Sequence, residues 1–177
     1  MDALIFDFDG VIVDSEPIHF EGFRQGLQTV GVALTREAYY TKYLGYDDHD
    51  CFSAAASDQG IRLDEPRLAR LIEAKTRIVQ RMLGESARAL PGAVELIRAA
   101  HRAGVPLAIC SGALRAEIEL ASRAVGVLDC FDTVVPAEDV AKGKPDPEGY
   151  LLARRRLAEA TGRAIAPERC VVVEDSP

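Results

Sequence analysis

The spacing of the predicted strands constrains the fold of this chain more than any other feature. A short apolar segment, Ala3–Phe6, reads as a buried strand that runs into a loop at Gly10. The segments that could pair with it come only after Gly92, where helices and short strands alternate. Alternation of this kind predicts a parallel sheet covered by helices on both faces.

Three strands and three helices are predicted after Gly92. The strands are residues 105–110, 133–135 and 170–173, all read as buried, and the helices are residues 93–103, 115–125 and 147–160. Before them, the segment from Pro17 to Leu83 has helical spacing, and Asp64-Glu65-Pro66 marks a helix start. We therefore predict an α/β fold in which a Rossmann-like core, residues 1–15 plus 89–177, carries an inserted all-helical cap, residues 16–88.

Composition and cysteine usage limit the classes of partner and the compartment. With 28 acidic and 21 basic residues the formal net charge is −7, which argues against a nucleic-acid surface. Neither a secretory signal nor a membrane span is evident in the sequence. The four cysteines are dispersed without CxxC spacing, as expected for free thiols in a reducing cytosol rather than for a metal–thiolate site. We therefore expect a cytoplasmic location.

Paired acids follow the first and the last predicted strand. Asp7 and Asp9 close the first strand, and Glu174 and Asp175 close the last. The carboxyl ends of parallel strands meet at one edge of a sheet, so these four carboxylates would repel one another in a partly dehydrated site. A hard divalent cation with oxygen ligands relieves that repulsion, and Mg²⁺ fits best because it also accepts water and phosphate oxygens.

Two further segments between these pairs are suited to bind an anion. Ser111-Gly112 follows a strand and precedes a helix, where a hydroxyl, a backbone N–H and the positive helix end can converge. Lys144 lies in a loop stiffened by two prolines, so its ammonium group can be aimed rather than left in solvent. The sequence thus predicts a site for an anion at this edge of the sheet.

Together these segments resemble the haloacid dehalogenase-like superfamily. The resemblance rests on the DxDGV motif at Asp7 to Val11, the strand-terminal Ser111, Lys144 in KPDP, and the pair Glu174-Asp175. The Glu-Asp pair and the helical insertion are similar to the branch that contains β-phosphoglucomutase and small-metabolite phosphatases.

The resemblance implies a role for each matching residue. Asp7 would be the nucleophile that forms an aspartyl-phosphate, and Asp9 would be the general acid and base. Ser111, Gly112 and Lys144 would hold the phosphoryl group beside Gly10. Mg²⁺ would be held by Asp7, Glu174, Asp175 and the backbone carbonyl of Asp9. Relatives that cleave carbon–halogen bonds lack an acid equivalent to Asp9, so phosphate ester chemistry is favoured.

The inserted segment bears on the choice between phosphatase and mutase. His19 has the spacing of a histidine that β-phosphoglucomutase links to its cap, which hints at a mutase. However, Leu44 and Asp48 stand where that enzyme has a lysine and an arginine, so a second phosphate would be poorly held. We expect the Gly45 to Asp47 turn to face the leaving group, with Tyr46 and Asp47 as specificity residues.

The sequence therefore predicts a Mg²⁺-dependent phosphatase of a small phosphorylated metabolite, such as a sugar phosphate. The alternatives are a β-phosphoglucomutase-like sugar phosphomutase and a non-enzymatic, inactive or fragmentary phosphate-binding module. No nucleic-acid or membrane partner is expected, and a monomer is favoured. Because relatives continue with a helix and a strand after the acidic pair, the chain that stops at Ser176-Pro177 is expected to be truncated and its last strand to lie bare.

Overall fold

The protein is described by a computed structural model covering residues 1–175. One sheet contains β1 (Ala3–Phe6), β2 (Leu107–Cys110), β3 (Thr133–Val135) and β4 (Cys170–Val173) in the order β3-β2-β1-β4. All neighbouring strands are parallel, and the central strand β1 pairs Leu4 with Leu107 on one side and Val171 on the other. The predicted α/β fold is thereby confirmed.

The helices account for most of the remaining chain. They are α1 (Glu16–Gln28), α2 (Arg36–Ala38), which continues into a π-helix (Tyr39–Tyr43), α3 (Asp48–Ser57), α4 (Glu65–Ser86), α5 (Ala93–Arg102), α6 (Arg115–Ala124) and α7 (Glu148–Thr161). Short 3₁₀ turns lie at Leu128–Cys130, Ala137–Asp139 and Pro167–Arg169.

The chain divides into two compact units. The first contains Met1–Ser15 and the residues from Leu83 onward, and the second contains Glu16–Met82. The boundary at Leu83 falls within α4, six positions before the start of the predicted core segment at residue 89. The first unit is discontinuous in sequence because its central strand β1 is separated from every strand with which it pairs.

The core of the first unit is built on the two faces of the sheet. Alternate residues of a strand point to opposite faces, so Ala3 and Ile5 share a face and Leu4 and Phe6 share the other. Ala3 and Ile5 are buried with Leu157 of α7, while the Phe6 ring meets Phe131 edge-on at 6.0 Å. This continuous burial explains why β1 and β2 read as uninterrupted apolar runs.

The second unit has a separate, aromatic core. Phe23 of α1 meets Phe52 of α3 at 5.1 Å between ring centroids and Tyr39 at 5.8 Å. Leu68 and Leu71, on the apolar stripe of α4, are buried in the same cluster. The helical spacing of the sequence therefore reflects burial of one face of each long helix.

Beyond shifts of one residue at the ends of α5, α6 and α7, the bounds of β2 and α4 differ from the sequence-based prediction. β2 begins at Leu107 rather than 105, because the Val105 N–H donates to Ala100 O at the end of α5 and so serves the helix. α4 extends to Ser86, beyond the predicted end at Leu83. The apolar run of β4 predicts burial, whereas the last strand is also expected to lie bare. Val171 and Val172 are 44% and 43% exposed at the edge of the sheet, in agreement with the second expectation.

All four cysteines are free thiols, two buried and two half-buried. Burial raises the pKa of Cys51 to about 12 and that of Cys110 to about 11, so both are protonated at neutral pH. Across residues 1–175, the structure contains no helix with the length and apolarity needed to span a bilayer.

Candidate active site

The loop after β1 places the first acidic pair. Asp7 is the first residue beyond the strand, and its N–H donates to Val173 O of β4 at 2.9 Å. The chain then turns tightly, with the N–H groups of Ile12 and Val13 both donating to Phe8 O. Gly10 has φ +74°, a backbone conformation that residues with a side chain rarely adopt. A Cβ atom at this position would overlap the Asp175 carboxylate, so glycine is required there.

The ends of β1 and β4 bring three acids together. Within the described residues, one carboxylate oxygen each from Asp7, Glu174 and Asp175 lie within 4.8 Å of one another. Burial and a hydrogen bond with Asp7 raise the pKa of the Glu174 carboxyl above its ordinary value, against the opposing pull of Lys144. The cluster thus holds more negative charge than its surroundings offset, and its oxygen donors suit a hard cation such as Mg²⁺.

Lys144 supplies positive charge to this cluster. Its Nζ lies 2.8 Å from Asp7 Oδ1 and 3.1 Å from Glu174 Oε1. Burial alone would lower the pKa of Lys144, but hydrogen bonds with Asp7, Tyr150 and Glu174 hold it above the ordinary value. The ammonium group is therefore charged throughout the physiological pH range, and it joins the nucleophile candidate to one of the proposed metal ligands.

Ser111 and Gly112 follow β2 at the same edge of the sheet. The Ser111 N–H donates to Val135 O, and its Oγ accepts the Ala113 N–H at 3.0 Å. Because the hydroxyl oxygen already accepts a backbone hydrogen bond, its own proton can be directed to another acceptor. Among the described residues other than Gly112 and its two chain neighbours, no atom lies within 4 Å of where a Gly112 Cβ would stand, which leaves room for an anion close to this backbone.

These side chains line one cavity of about 550 Å³, entirely within the first unit. Its lining includes the predicted Asp7, Asp9, Ser111, Gly112, Lys144 and Glu174, and also Pro145 and Tyr150. The structure thus brings the core residues predicted from the sequence to one place. The size of the cavity and the mixed charge of its lining suit a small phosphorylated molecule rather than a polymer.

Two residues of this site were not anticipated from the sequence. Ser15, only 2% exposed, donates a hydrogen bond to Asp9 Oδ1. Tyr150 lies on the first turn of α7, with its ring centroid 5.3 Å from Lys144 Nζ. Ser15 follows the DxDGV motif by four residues and Tyr150 follows the KPDP motif by three, so position in the sequence offered the only signal.

The remaining predicted residues lie in the second unit. His19 is on α1, and its burial, with repulsion from Lys75, lowers its pKa to about 4, so it is neutral at pH 7. Gly45 has φ +85° in an exposed turn, and Tyr46 is 50% exposed. Asp47 caps α3 by accepting the Asp50 N–H at 2.8 Å. Helix capping accounts for the position of Asp47, and its predicted contact with substrate stays a prediction.

Comparisons with known proteins show the family to which the chain belongs. The family model described as haloacid dehalogenase-like hydrolase matches residues 1–177. A phosphorylated carbohydrates phosphatase of Thermotoga maritima is 31% identical, with 99% of this chain covering 77% of that protein. A fructose-1-phosphate phosphatase of Escherichia coli is 32% identical, with coverage of 98% and 86%. The crystal structure of CbbY from Rhodobacter sphaeroides with phosphate superposes with a TM-score of 0.81 at 28% identity, covering 99% of this chain and 78% of that one.

Proposed function

Because the chain belongs to the haloacid dehalogenase-like hydrolase family, we propose that this hydrolase releases phosphate from a small phosphorylated carbohydrate. The named phosphatases among its relatives support a phosphoric monoester hydrolase. The observation that carries the proposal is the contact of 2.8 Å between Lys144 Nζ and Asp7 Oδ1 within the acidic cluster. An ammonium group in this position orients the carboxylate and attracts a phosphoryl dianion.

The proposed reaction has two displacements at phosphorus. In the first, an Asp7 carboxylate oxygen bonds to phosphorus as the bond to the sugar oxygen breaks, and Asp9 gives that oxygen a proton. In the second, water attacks phosphorus, Asp9 takes its proton, and the bond to Asp7 breaks to release inorganic phosphate. A carboxylate nucleophile divides one difficult hydrolysis into two easier steps, and the acid–base role is worth about 10²–10⁴-fold in rate.

The other residues hold the phosphoryl group in line. Ser111 O–H and the Gly112 N–H donate to its oxygens, and Lys144 offsets its charge. Asp7, Glu174, Asp175 and the Asp9 carbonyl would hold Mg²⁺. When bound, Mg²⁺ supplies the positive charge that both the carboxylates and the phosphoryl oxygens require. Ser15 fixes one oxygen of Asp9 and so restricts the direction in which this acid points.

We assign substrate selection to the second unit, as the cap that the family resemblance implies. His19, Gly45, Tyr46 and Asp47 are the proposed contacts. Lys75, the buried cation of this unit, already pairs with Asp48 at 2.5 Å. Because Lys75 is already paired, it is not available to bind a second phosphate group of a substrate. This supports a monophosphate as the substrate rather than a bisphosphate.

Phosphate release from a panel of sugar phosphates, phosphoglycolate and nucleotides, with and without Mg²⁺, tests the proposal. We expect turnover of a sugar monophosphate that stops with EDTA and returns with Mg²⁺. Replacing Asp7→Asn should lower kcat by about 10⁴-fold or more, because the nucleophile is lost. Asp14→Asn, at an exposed position on the same segment, is the matched control and should leave kcat unchanged.

The contrary outcomes are distinct. Retention of most activity by Asp7→Asn would exclude the covalent mechanism, and turnover insensitive to EDTA would exclude Mg²⁺. Isomerisation of a hexose 1-phosphate in the presence of its bisphosphate, without phosphate release, would identify a mutase instead. Phosphorylation by acetyl phosphate without turnover would identify a non-enzymatic phosphate-binding module.

A further inference from the structure

Lys144 is a charged residue on an exposed loop, yet its ammonium group has a defined position. Residues 141–145 are all exposed, and the two prolines of the loop, Pro145 and Pro147, have no N–H with which to anchor it. If no hydrogen bonds held an exposed loop, binding of an anion to its lysine would have to order both the loop and the side chain. The loss of conformational entropy would then be large. Asp7 and Glu174 hold the ammonium group at the tip of the side chain, so the backbone that carries it must be held by other hydrogen bonds of the loop.

Glu148, the first residue of α7, supplies those bonds. Its Oε1 accepts the Ala141 N–H at 3.0 Å, and its Oε2 accepts the Lys142 N–H at 3.1 Å. The Glu148 N–H in turn donates to Asp146 Oδ1 at 3.0 Å, and the Asp146 N–H donates to Gly143 O at 3.1 Å. These hydrogen bonds join residues on both sides of Lys144 and so hold the backbone of the loop that carries it.

The position of Glu148 at the start of α7 suits this acceptor role. A carboxylate in the first turn of a helix is stabilised by the positive end of the helix. Hydrogen bonds from backbone N–H groups to a charged acceptor are stronger than those between neutral groups. By contrast, the exposed pair between Lys142 Nζ and Asp146 Oδ2, at 3.7 Å, contributes little to the loop.

We propose that Glu148 is a positioning residue that sets the place of the Lys144 ammonium group and thereby the affinity for the phosphoryl group. The inference rests on the proposed function, because it assumes that Lys144 binds phosphate. Glu148 lies outside the cavity lining and acts through the backbone of residues 141–142. Its loss leaves Lys144 charged but displaced, which weakens binding of the anion.

A double-mutant cycle on phosphate affinity separates this role from simple helix capping. The probe is inorganic phosphate titrated calorimetrically into the Mg²⁺-containing protein. We expect Glu148→Ala to weaken phosphate binding about tenfold, since a displacement near 1 Å at a site of this kind is costly. Glu148→Gln, which retains one acceptor oxygen, should have a smaller effect. Glu159→Ala, which removes an exposed carboxylate from the same helix, should leave the affinity unchanged.

The decisive comparison uses the Lys144→Ala background. If Glu148 acts through Lys144, Glu148→Ala should add less than about a twofold loss there, because the two effects are coupled. An equal loss in both backgrounds, or none in either, would overturn the inference while leaving the proposed function standing. Unchanged phosphate affinity in Lys144→Ala alone would refute the role of Lys144, and the positioning role of Glu148 with it. Melting temperatures of all variants identify any loss due to unfolding.

Discussion

Each unit of the protein encloses one lysine beside carboxylates, and the two differ in how their charge is balanced. Lys75 in the second unit has a side chain 7% exposed, one partner in Asp48 at 2.5 Å, and the Phe23 ring 4.4 Å from its Nζ. Lys144 in the first unit is 27% exposed and lies against both Asp7 and Glu174, with Asp175 nearby. The first arrangement is neutral and enclosed. The second carries excess negative charge and opens to a cavity.

This difference indicates what distinguishes a structural ion pair from one in a candidate ligand site. A buried charge with one partner of opposite charge is neutralised by that partner. A cluster with excess negative charge needs a bound ligand to neutralise it. Burial of a lysine alone therefore does not identify a site. The sum of charges around it does, together with access for a ligand.

The largest expected effect comes from making the same substitution at both lysines. Lys144→Met should lower kcat/KM by about 10²–10³-fold with little change in melting temperature, because the charge proposed to stabilise the phosphoryl group is lost. Lys75→Met should instead lower the free energy of unfolding by about 1–3 kcal/mol, because Asp48 is left without its partner. Steady-state kinetics and urea denaturation measure the two effects. Equal losses of kcat/KM without destabilisation would remove the distinction between the lysines.

The second prediction concerns the pH dependence of stability, through His19 beside Lys75. The folded state lowers the pKa of His19 from 6.5 to about 4, so the unfolded state binds the proton more readily. The free energy of unfolding is therefore highest above pH 6.5, where His19 is neutral in both states. It falls by about 2–3 kcal/mol as the pH falls toward 4, because the unfolded state takes up a proton that the folded state does not.

Replacing His19→Gln tests this dependence directly. The variant should lose less unfolding free energy than the wild type between pH 6.5 and 4, as measured by urea denaturation at several pH values. Parallel stability profiles for the two proteins would contradict the stated cause. His101→Gln, at an exposed histidine of the first unit, is the matched control and should keep the wild-type profile.

The smallest predicted effect compares two glycines, one in each unit. Gly10→Ala should displace the Asp175 carboxylate and raise the Mg²⁺ concentration for half-maximal activity about tenfold, as expected when metal ligands are disturbed. Gly22→Ala would place a Cβ 2.9 Å from Val79 Cγ2 and should lower stability without changing the Mg²⁺ requirement. A shifted requirement in Gly22→Ala but not in Gly10→Ala would reverse the assignment.

The sequence was most informative where function depends on position along a strand. The bounds of β3 and β4 were predicted correctly, and the acids that follow β1 and β4 lie together. Parallel pairing brings equivalent strand ends to one edge, so a one-dimensional pattern is sufficient to predict this part of the site. Short apolar runs that end in charged residues therefore carried most of the usable signal.

The contacts that the sequence did not reveal depend on tertiary approach. The pair Lys75–Asp48 joins residues of α4 and α3, and Glu148 reaches back to the backbone of Ala141 and Lys142. Neither contact follows from the periodicity of the sequence, because each joins two segments that only the tertiary structure brings together. The apolar run of β4 on its own predicts burial, because such a run does not reveal whether a strand lies at the centre or the edge of a sheet. The exposure of Val171 and Val172 agrees instead with the expectation that the last strand lies bare.

The central place of β1 also determines when the active site can form during synthesis. Asp7 precedes the whole second unit in the chain, but its strand pairs with β2 at Leu107 and with β4 at Val171, both of which follow that unit. Pairing between such distant segments is slow, because a long stretch of chain must be ordered first. The proposed nucleophile is therefore synthesised before the other residues of the candidate site, and the site can close around it only after β4 has been translated.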